Sequence, residues 1–207
     1  MPRVIALPTV LAALIAAATA CTPRTGAGTP PPLPPLTVEI RTQMDARGAL
    51  PWSASRRLSW QDFRGPAPTG GVEGAQTAYG LFYGLRCTRA LFQFEVTTGF
   101  LPQESWVKAS VLANADDSRR TLEHEQTHFD LAEVHARRMR RHFTDLVRPC
   151  DQSLDGWRSV AERFIRDEAA AQDRYDDETR HGLMAVPQQA WNSEVATQLQ
   201  ALGKFAR

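Results

Sequence analysis

His124 and His128 stand four residues apart in the stretch TLEHEQTHFD, residues 121–130, and Glu125 directly follows the first of them. On a helix, residues at that spacing share one face and lie about 6 Å apart along the axis. Two imidazoles placed so can both reach one Zn²⁺ at the usual bond length of about 2 Å. Glu125 would point about 100° away from His124, where it can approach the metal's open position without ligating it. That is the placement of a general base for a metal-activated water, whose pKa zinc lowers to about 7. The competing reading is a charged, solvated helix face. Arg119, Arg120, Glu123, Asp130 and Glu133 surround the motif, and a basic run over residues 137–141 follows it. That run suits a solvated helix C-terminus. With only five histidines in 207 residues, His-Glu-x-x-His arises by chance on the order of once in a hundred such chains. Leu122 and Phe129 flank the motif as core anchors, and Gln126 and Thr127 between the histidines are uncharged. The metal reading is the stronger of the two.

Catalytic zinc normally takes three protein ligands and one water. His135 falls on nearly the same face but about 10 Å further along the axis, so it and His142 are expected in packing or at the surface. His181, in RYDDETRHGLM over residues 174–184, is then the first candidate, because Gly182 allows a sharp turn beside the metal. Glu168, which falls on the apolar stripe of a second helix, and then Asp176 are the alternatives. Tyr175 divides evenly between a donor to the oxyanion of a tetrahedral intermediate and a core tyrosine. Asp130 or Asp176 could orient a ligating imidazole through its other ring nitrogen.

These residues need helices to carry them and a sheet to support the helices. Asp116, Asp117 and Ser118 predict a helix start, with a helical run to about Val147 that Pro149 ends. Ser153 predicts the N-cap of a second helix reaching about Thr179, with Leu154, Trp157, Ala161, Phe164, Ala171 and Tyr175 as its apolar stripe. A short terminal helix is expected around residues 189–202. Upstream, residues 75–87 and 90–100 are aromatic and β-branched and read as a hairpin turning at Thr88-Arg89. Residues 105–113 read as a third strand, residues 56–65 carry strand formers up to Gly65-Pro66, and residues 68–74 read as loop. Strands first and helices after predict an α+β fold, with a small antiparallel sheet (hairpin plus edge strand) packed on the active-site helix and a second long helix.

The first twenty residues differ in kind. Arg3, an apolar run to Ala20 and small residues at the end read as a signal peptide. Cys21 follows the cleavage point and is a candidate for lipidation, although Ala18 stands where Leu is usual. Residues 21–36 form a Pro-rich tether, and a single domain is expected over residues 37–207. Three cysteines in an exported chain leave Cys87 and Cys150 to pair if lipid takes Cys21. That bridge would close a loop worth roughly 4 kcal/mol. The net charge of +1 names no polyanionic partner and argues against nucleic acid. Contact with a membrane is expected only through lipid at Cys21.

Three stretches in order, LSWQDFRG (58–65), HEQTHFDLAEVHARRMRR (124–141) and YDDETRHG (175–182), followed by Gln189 and Trp191, resemble the bacterial domain-of-unknown-function family 922, described as secreted, predicted zinc-dependent proteases. The resemblance implies a zincin-like metallopeptidase with His124 and His128 as ligands and Glu125 as base, and the recurring His-Gly supports His181. The reading reached here is an exported Zn²⁺ peptidase, monomeric, acting on a peptide or protein of the cell envelope in the periplasm or outside the cell, with an outer-membrane lipoprotein as the tethered form. An exposed edge at residues 105–113 would pair with an extended substrate. The rivals are a non-catalytic envelope lipoprotein with a structural metal and a cell-wall amidase using the same site.

Overall fold

The computed structural model describes residues 33–88 and 91–207. The expected signal peptide, Cys21 and most of the tether lie outside the described residues, as does Arg89 of the expected hairpin turn. Helix α1 (Leu36–Ala46) comes first and buries Leu36, Ile40 and Met44, spaced by four. The short strand β1 (Leu50–Pro51) follows, then a 3-10 turn at Trp60–Asp62. Strands β2 (Ala75–Gln76), β3 (Tyr79–Thr88), β4 (Leu91–Phe100) and β5 (Trp106–Val107) come next. Helices α2 (Ala109–Leu112), α3 (Ala115–Thr144), α4 (Leu154–Thr179) and α5 (Ala185–Ala201) complete the chain. The expected α+β class is met.

The β3–β4 hairpin pairs antiparallel from Tyr79↔Phe100 to Thr88↔Leu91, and β1 adds to the far side of β4. Alternation along its strands divides the side chains between two layers. Leu81, Tyr83, Leu85, Phe92, Phe94 and Val96 pack with Met139 and Phe143 of α3 and Trp157 of α4. Phe82 turns the other way, onto Ile40 and Met44 of α1. The sheet thus lies between α1 and the α3–α4 pair. A further cluster of Leu131, Val134, Tyr175 and Val195 seats α5 against both long helices.

Each long helix starts on a cap. Asn114 accepts from the amides of Asp116 and Asp117, which therefore lie in the first turn of α3 and are not its cap. Ser153 caps α4 as expected, accepting from Gly156 N. The connection between α3 and α4 is tied to the end of the hairpin by the Cys87–Cys150 disulfide, with Cα atoms 5.8 Å apart.

Several expectations are corrected. Residues 105–113 are not one strand: only Trp106–Val107 is extended, and it pairs with Ala75–Gln76, while Ala109–Leu112 is a helical turn. A short apolar alternation fits either period, and here the helical one prevails. Residues 56–65 are not a strand either. Helix α1 was not foreseen, because its polar residues outnumber its three buried positions. The basic run over residues 137–141 is not wholly solvated. Arg137 and Arg140 are buried and donate to buried Glu133 at 2.9 Å, and Arg140 also reaches the carbonyl of Val96. No helix among the described residues is long and apolar enough to cross a membrane.

Candidate metal centre

Helices α3 and α4 run antiparallel, so contacts advance along one as they recede along the other: Phe143 meets Trp157, His128 meets Gln172, and His124 meets Asp176. This register sets Asp176 opposite both motif histidines. Its Oδ1 lies 3.1 Å from His124 Nε2 and 2.9 Å from His128 Nε2, and the two Nε2 atoms are 3.0 Å apart. All three residues are buried, and their ligand atoms are close enough together to hold one metal ion.

Two glutamines decide what those atoms are. Gln172 donates its amide N–H groups to the His128 carbonyl (3.0 Å) and to Glu168 Oε1 (2.7 Å). Its Oε1 is thereby turned to His128 Nδ1 at 2.6 Å. Gln188 donates to the Tyr175 hydroxyl (2.6 Å) and to Asn192 Oδ1 (2.7 Å), which turns its Oε1 to His124 Nδ1 at 3.0 Å. An amide oxygen only accepts, so each imidazole carries a proton on Nδ1, and the neutral ring then presents a lone pair on Nε2. Two such lone pairs and a carboxylate oxygen then converge within about 3 Å. Acceptors facing one another repel. A proton can bridge only one pair of them, whereas a divalent cation takes all three. The donor set fits zinc, which accepts imidazole nitrogen and carboxylate oxygen in tetrahedral sites.

Glu125 lies beside this trio on α3 and is 2% exposed. Its Oε2 is buried without a hydrogen-bond partner among the described residues. A buried carboxylate oxygen left so is costly unless a cation, a water or a ligand completes it. Thr77 holds the backbone here, donating its hydroxyl to the Glu125 carbonyl at 3.2 Å.

His181, the first candidate for third ligand, stands at the rim. Its Nδ1 is 3.5 Å from Asp176 Oδ1, and its side chain is 53% exposed. The buried trio contains Asp176 in its place. Glu168 is set one layer behind: it accepts from the Tyr79 hydroxyl at 2.5 Å and from Gln172, and Gln172 in turn holds His128. Tyr175 is fully buried, stacks on His124 with ring centroids 4.7 Å apart, and donates to the His124 carbonyl at 3.2 Å. Burial pushes its phenol well above the ordinary range. That hydroxyl positions His124 and Gln188. Asp130 lies away from the trio, where the indole N–H of Trp52 and the amide of Gln126 both donate to its Oδ1; burial raises its pKa. The other two histidines of α3 lie apart from the trio: His135 is buried, and His142 is exposed, with its ring near those of Phe143 and Phe164.

Gln172 and Gln188 were not singled out from sequence. Gln189, at which the family resemblance continues, is exposed, while its neighbour Gln188 is buried. A signal did exist for Gln172, which stands four residues after Glu168 on the buried stripe. A polar residue there needs a partner.

The turn after α4 is shaped around His124. Arg180, His181 and Gly182 all have left-handed backbone, with φ of 49°, 53° and 80°. A Cβ at Gly182 would lie 2.9 Å from His124 Cβ and 3.0 Å from its Cγ, so only glycine lets the chain pass this close. On the opposite side LSWQDFRG clamps α3. Leu58 N donates to Gln126 Oε1 at 2.7 Å, the Trp60 indole donates to Ser118 at 2.8 Å, and Ser59 and Asp62 form a capping box. The three stretches quoted from the sequence therefore meet around one helix: one carries the histidines, one supplies Asp176 and the close turn, and one holds the helix in place.

No curated protein and no solved structure matches the chain. A family model described as "Bacterial protein of unknown function (DUF922)" matches residues 38–182, a span that holds Glu125, the buried trio, His181 and Gly182. With most of its 207 residues matched, the chain belongs to this bacterial family.

Proposed function

We propose that the protein is a zinc-dependent peptidase with a zincin-like arrangement, in which His124, His128 and Asp176 hold the metal and Glu125 is the general base. The observation that carries this reading is the convergence of two imidazole nitrogens and a carboxylate oxygen about 3 Å apart, with a glutamine oxygen at each Nδ1, beside buried Glu125, whose Oε2 has no hydrogen-bond partner among the described residues. Zinc bound there would act as a Lewis acid on a carbonyl and bring the pKa of a water to about 7. Glu125 would take the proton from that water and deliver it to the leaving amine. Gln172 and Gln188 would keep both imidazoles oriented, and Tyr175 would hold Gln188 in place. The proposed setting is export to the periplasm or beyond as a monomer, with lipid at Cys21 as tether and no nucleic-acid partner. The substrate would be a peptide or protein of the envelope.

The test is the Glu125→Gln variant of the zinc-loaded protein. Hydrolysis of dye-labelled unfolded protein should fall by on the order of 10²-fold or more, with zinc content unchanged. Loss of zinc with the substitution would make Glu125 a ligand and overturn its role as base. Cleavage of peptidoglycan fragments alone would move the assignment to an amidase. A second reading is favoured by the 3.5 Å separation of His181 and Asp176. If His181 swung in as a fourth ligand, the site would be closed, as structural zinc sites are, and the protein would be a non-catalytic binding module.

A further inference from the structure

The glutamines at the two imidazoles differ in what fixes them. Gln172 faces the backbone carbonyl of His128, which only accepts, so its amide nitrogen must point there and its oxygen to His128 Nδ1. Gln188 lies between the Tyr175 hydroxyl and His124 Nδ1, and each of these can donate or accept. Neither decides which way its amide points. A third neighbour does. Asn192 Oδ1 is 2.7 Å from Gln188 Nε2 and 2.7 Å from the Thr127 hydroxyl, and Asn192 Nδ2 is 2.5 Å from Glu123 Oε1. A carboxylate only accepts, so Asn192 turns its amide nitrogen to Glu123 and its oxygen to Gln188. That oxygen also only accepts. It holds the amide nitrogen of Gln188 toward itself and leaves Gln188 Oε1 for His124 Nδ1 at 3.0 Å. The direction of each bond in this chain therefore descends from one exposed carboxylate, that of the residue just before His124. The path runs through α5, which carries both Gln188 and Asn192, whereas His128 is oriented from α4.

We infer that Asn192 is a positioning residue for the metal centre: held by Glu123 and Thr127, it sets the direction of the Gln188 amide and through it keeps the His124 ring turned with Nε2 toward the trio. Its hydrogen bonds go to Gln188, Thr127 and Glu123, so it acts on the metal only through Gln188. The inference rests on the metal centre of the reading above and not on the cleavage of peptides.

The test compares the full-length protein with Asn192→Leu and Asn192→Asp, two side chains close to asparagine in size. An aspartate there has only acceptor oxygens, so it keeps the Gln188 amide turned as it is, and exposed Glu123 can swing away from the added charge into water. A leucine leaves Gln188 free to present either end to His124. Competition with a chromophoric chelator should show zinc held on the order of 10–100-fold more weakly by Asn192→Leu and as tightly as before by Asn192→Asp. In the zinc-loaded, ¹⁵N-histidine-labelled protein, the His124 Nδ1 proton should exchange slowly with water in the unaltered chain and in Asn192→Asp, and fast in Asn192→Leu. A merely structural side chain would not separate the two variants in this way. Unchanged zinc affinity and slow exchange in Asn192→Leu would overturn the positioning role. So would weakened zinc in Asn192→Asp, whether or not the leucine variant folds. The expected pattern without hydrolysis of dye-labelled unfolded protein by the unaltered chain would leave the role standing and sink the peptidase reading. Hydrolysis by the unaltered chain with zinc affinity unchanged in Asn192→Leu would do the reverse, and no zinc in the unaltered chain would overturn both.

Discussion

Gly182→Ala should damage both the fold and the metal centre, and Gly48→Ala should damage only the fold. Both glycines have left-handed backbone, with φ of 80° and 59°. An alanine there costs about 1–2 kcal/mol from its Cβ alone. The two sites differ in surroundings. A Cβ at Gly48 meets nothing within 4 Å, whereas at Gly182 it would sit 2.9 Å from His124 Cβ and 3.0 Å from Cγ. Carbon atoms rest at about 3.5–4.0 Å, so the turn or the imidazole must move by half an ångström or more. Overpacking of this kind adds roughly 1–3 kcal/mol. The expected totals are about 1 kcal/mol for Gly48→Ala and roughly 3 kcal/mol for Gly182→Ala. The displaced imidazole should also weaken zinc by on the order of 10–100-fold, as loss of an orienting contact does. Urea unfolding of the oxidised, metal-free protein reads the first effect, and competition with a chromophoric chelator reads the second. Equal destabilisation by the two substitutions, with zinc affinity unchanged, would refute the close approach of this turn to His124.

Two further outcomes follow from buried charge. Glu133→Ala leaves Arg137 and Arg140 buried without their carboxylate, and urea unfolding should show a loss of about 3–5 kcal/mol; a loss under 1 kcal/mol would mean that the arginines are solvated. His135 is held neutral in the fold, its pKa lowered from 6.5 to about 4, chiefly by burial and then by Arg138 and Arg174. Between those values the unfolded chain binds a proton that the native state refuses, so this contribution to stability is complete above pH 6.5 and is lost as pH falls toward 4. It is on the order of 3 kcal/mol. Stability curves of the unaltered protein and His135→Leu should differ in slope across that window and run parallel above it; curves parallel throughout would place His135 in contact with water.

The parts legible in the sequence were those set by local pattern. The Ser153 cap, the end of α4 at Thr179 and the hairpin strands follow from spacing and propensity along one stretch of chain. The two histidines follow from a helical repeat in the same way. The third member of the trio does not, because it depends on the register between α3 and α4. Asp176 and His181 are five residues apart, and only the packing of Phe143 on Trp157 and of His128 on Gln172 puts the aspartate at the centre and the histidine at the rim. The glutamines were hidden for a related reason. Beyond the place of Gln172 on the buried stripe of α4, neither glutamine announces its role, which appears when its amide is found between a histidine and other polar partners. Arg137 and Arg140 look like a solvated helix end because their partner Glu133 lies one turn back from the first and two from the second, and the Val96 carbonyl comes from another element. The brief β5 shows the opposite limit, where a short apolar stretch fits two periods and the context chooses.

The central claim is that His124, His128 and Asp176 form a metal centre that His181 borders without completing. Elemental analysis of the purified protein, beside Asp176→Asn and His181→Ala, tests it most directly. The account predicts about one zinc per chain in the unaltered protein and in His181→Ala, and loss of zinc in Asp176→Asn. Zinc kept in Asp176→Asn and lost in His181→Ala would make the histidine the third ligand, and no zinc in the unaltered protein after reconstitution would contradict the metal centre itself.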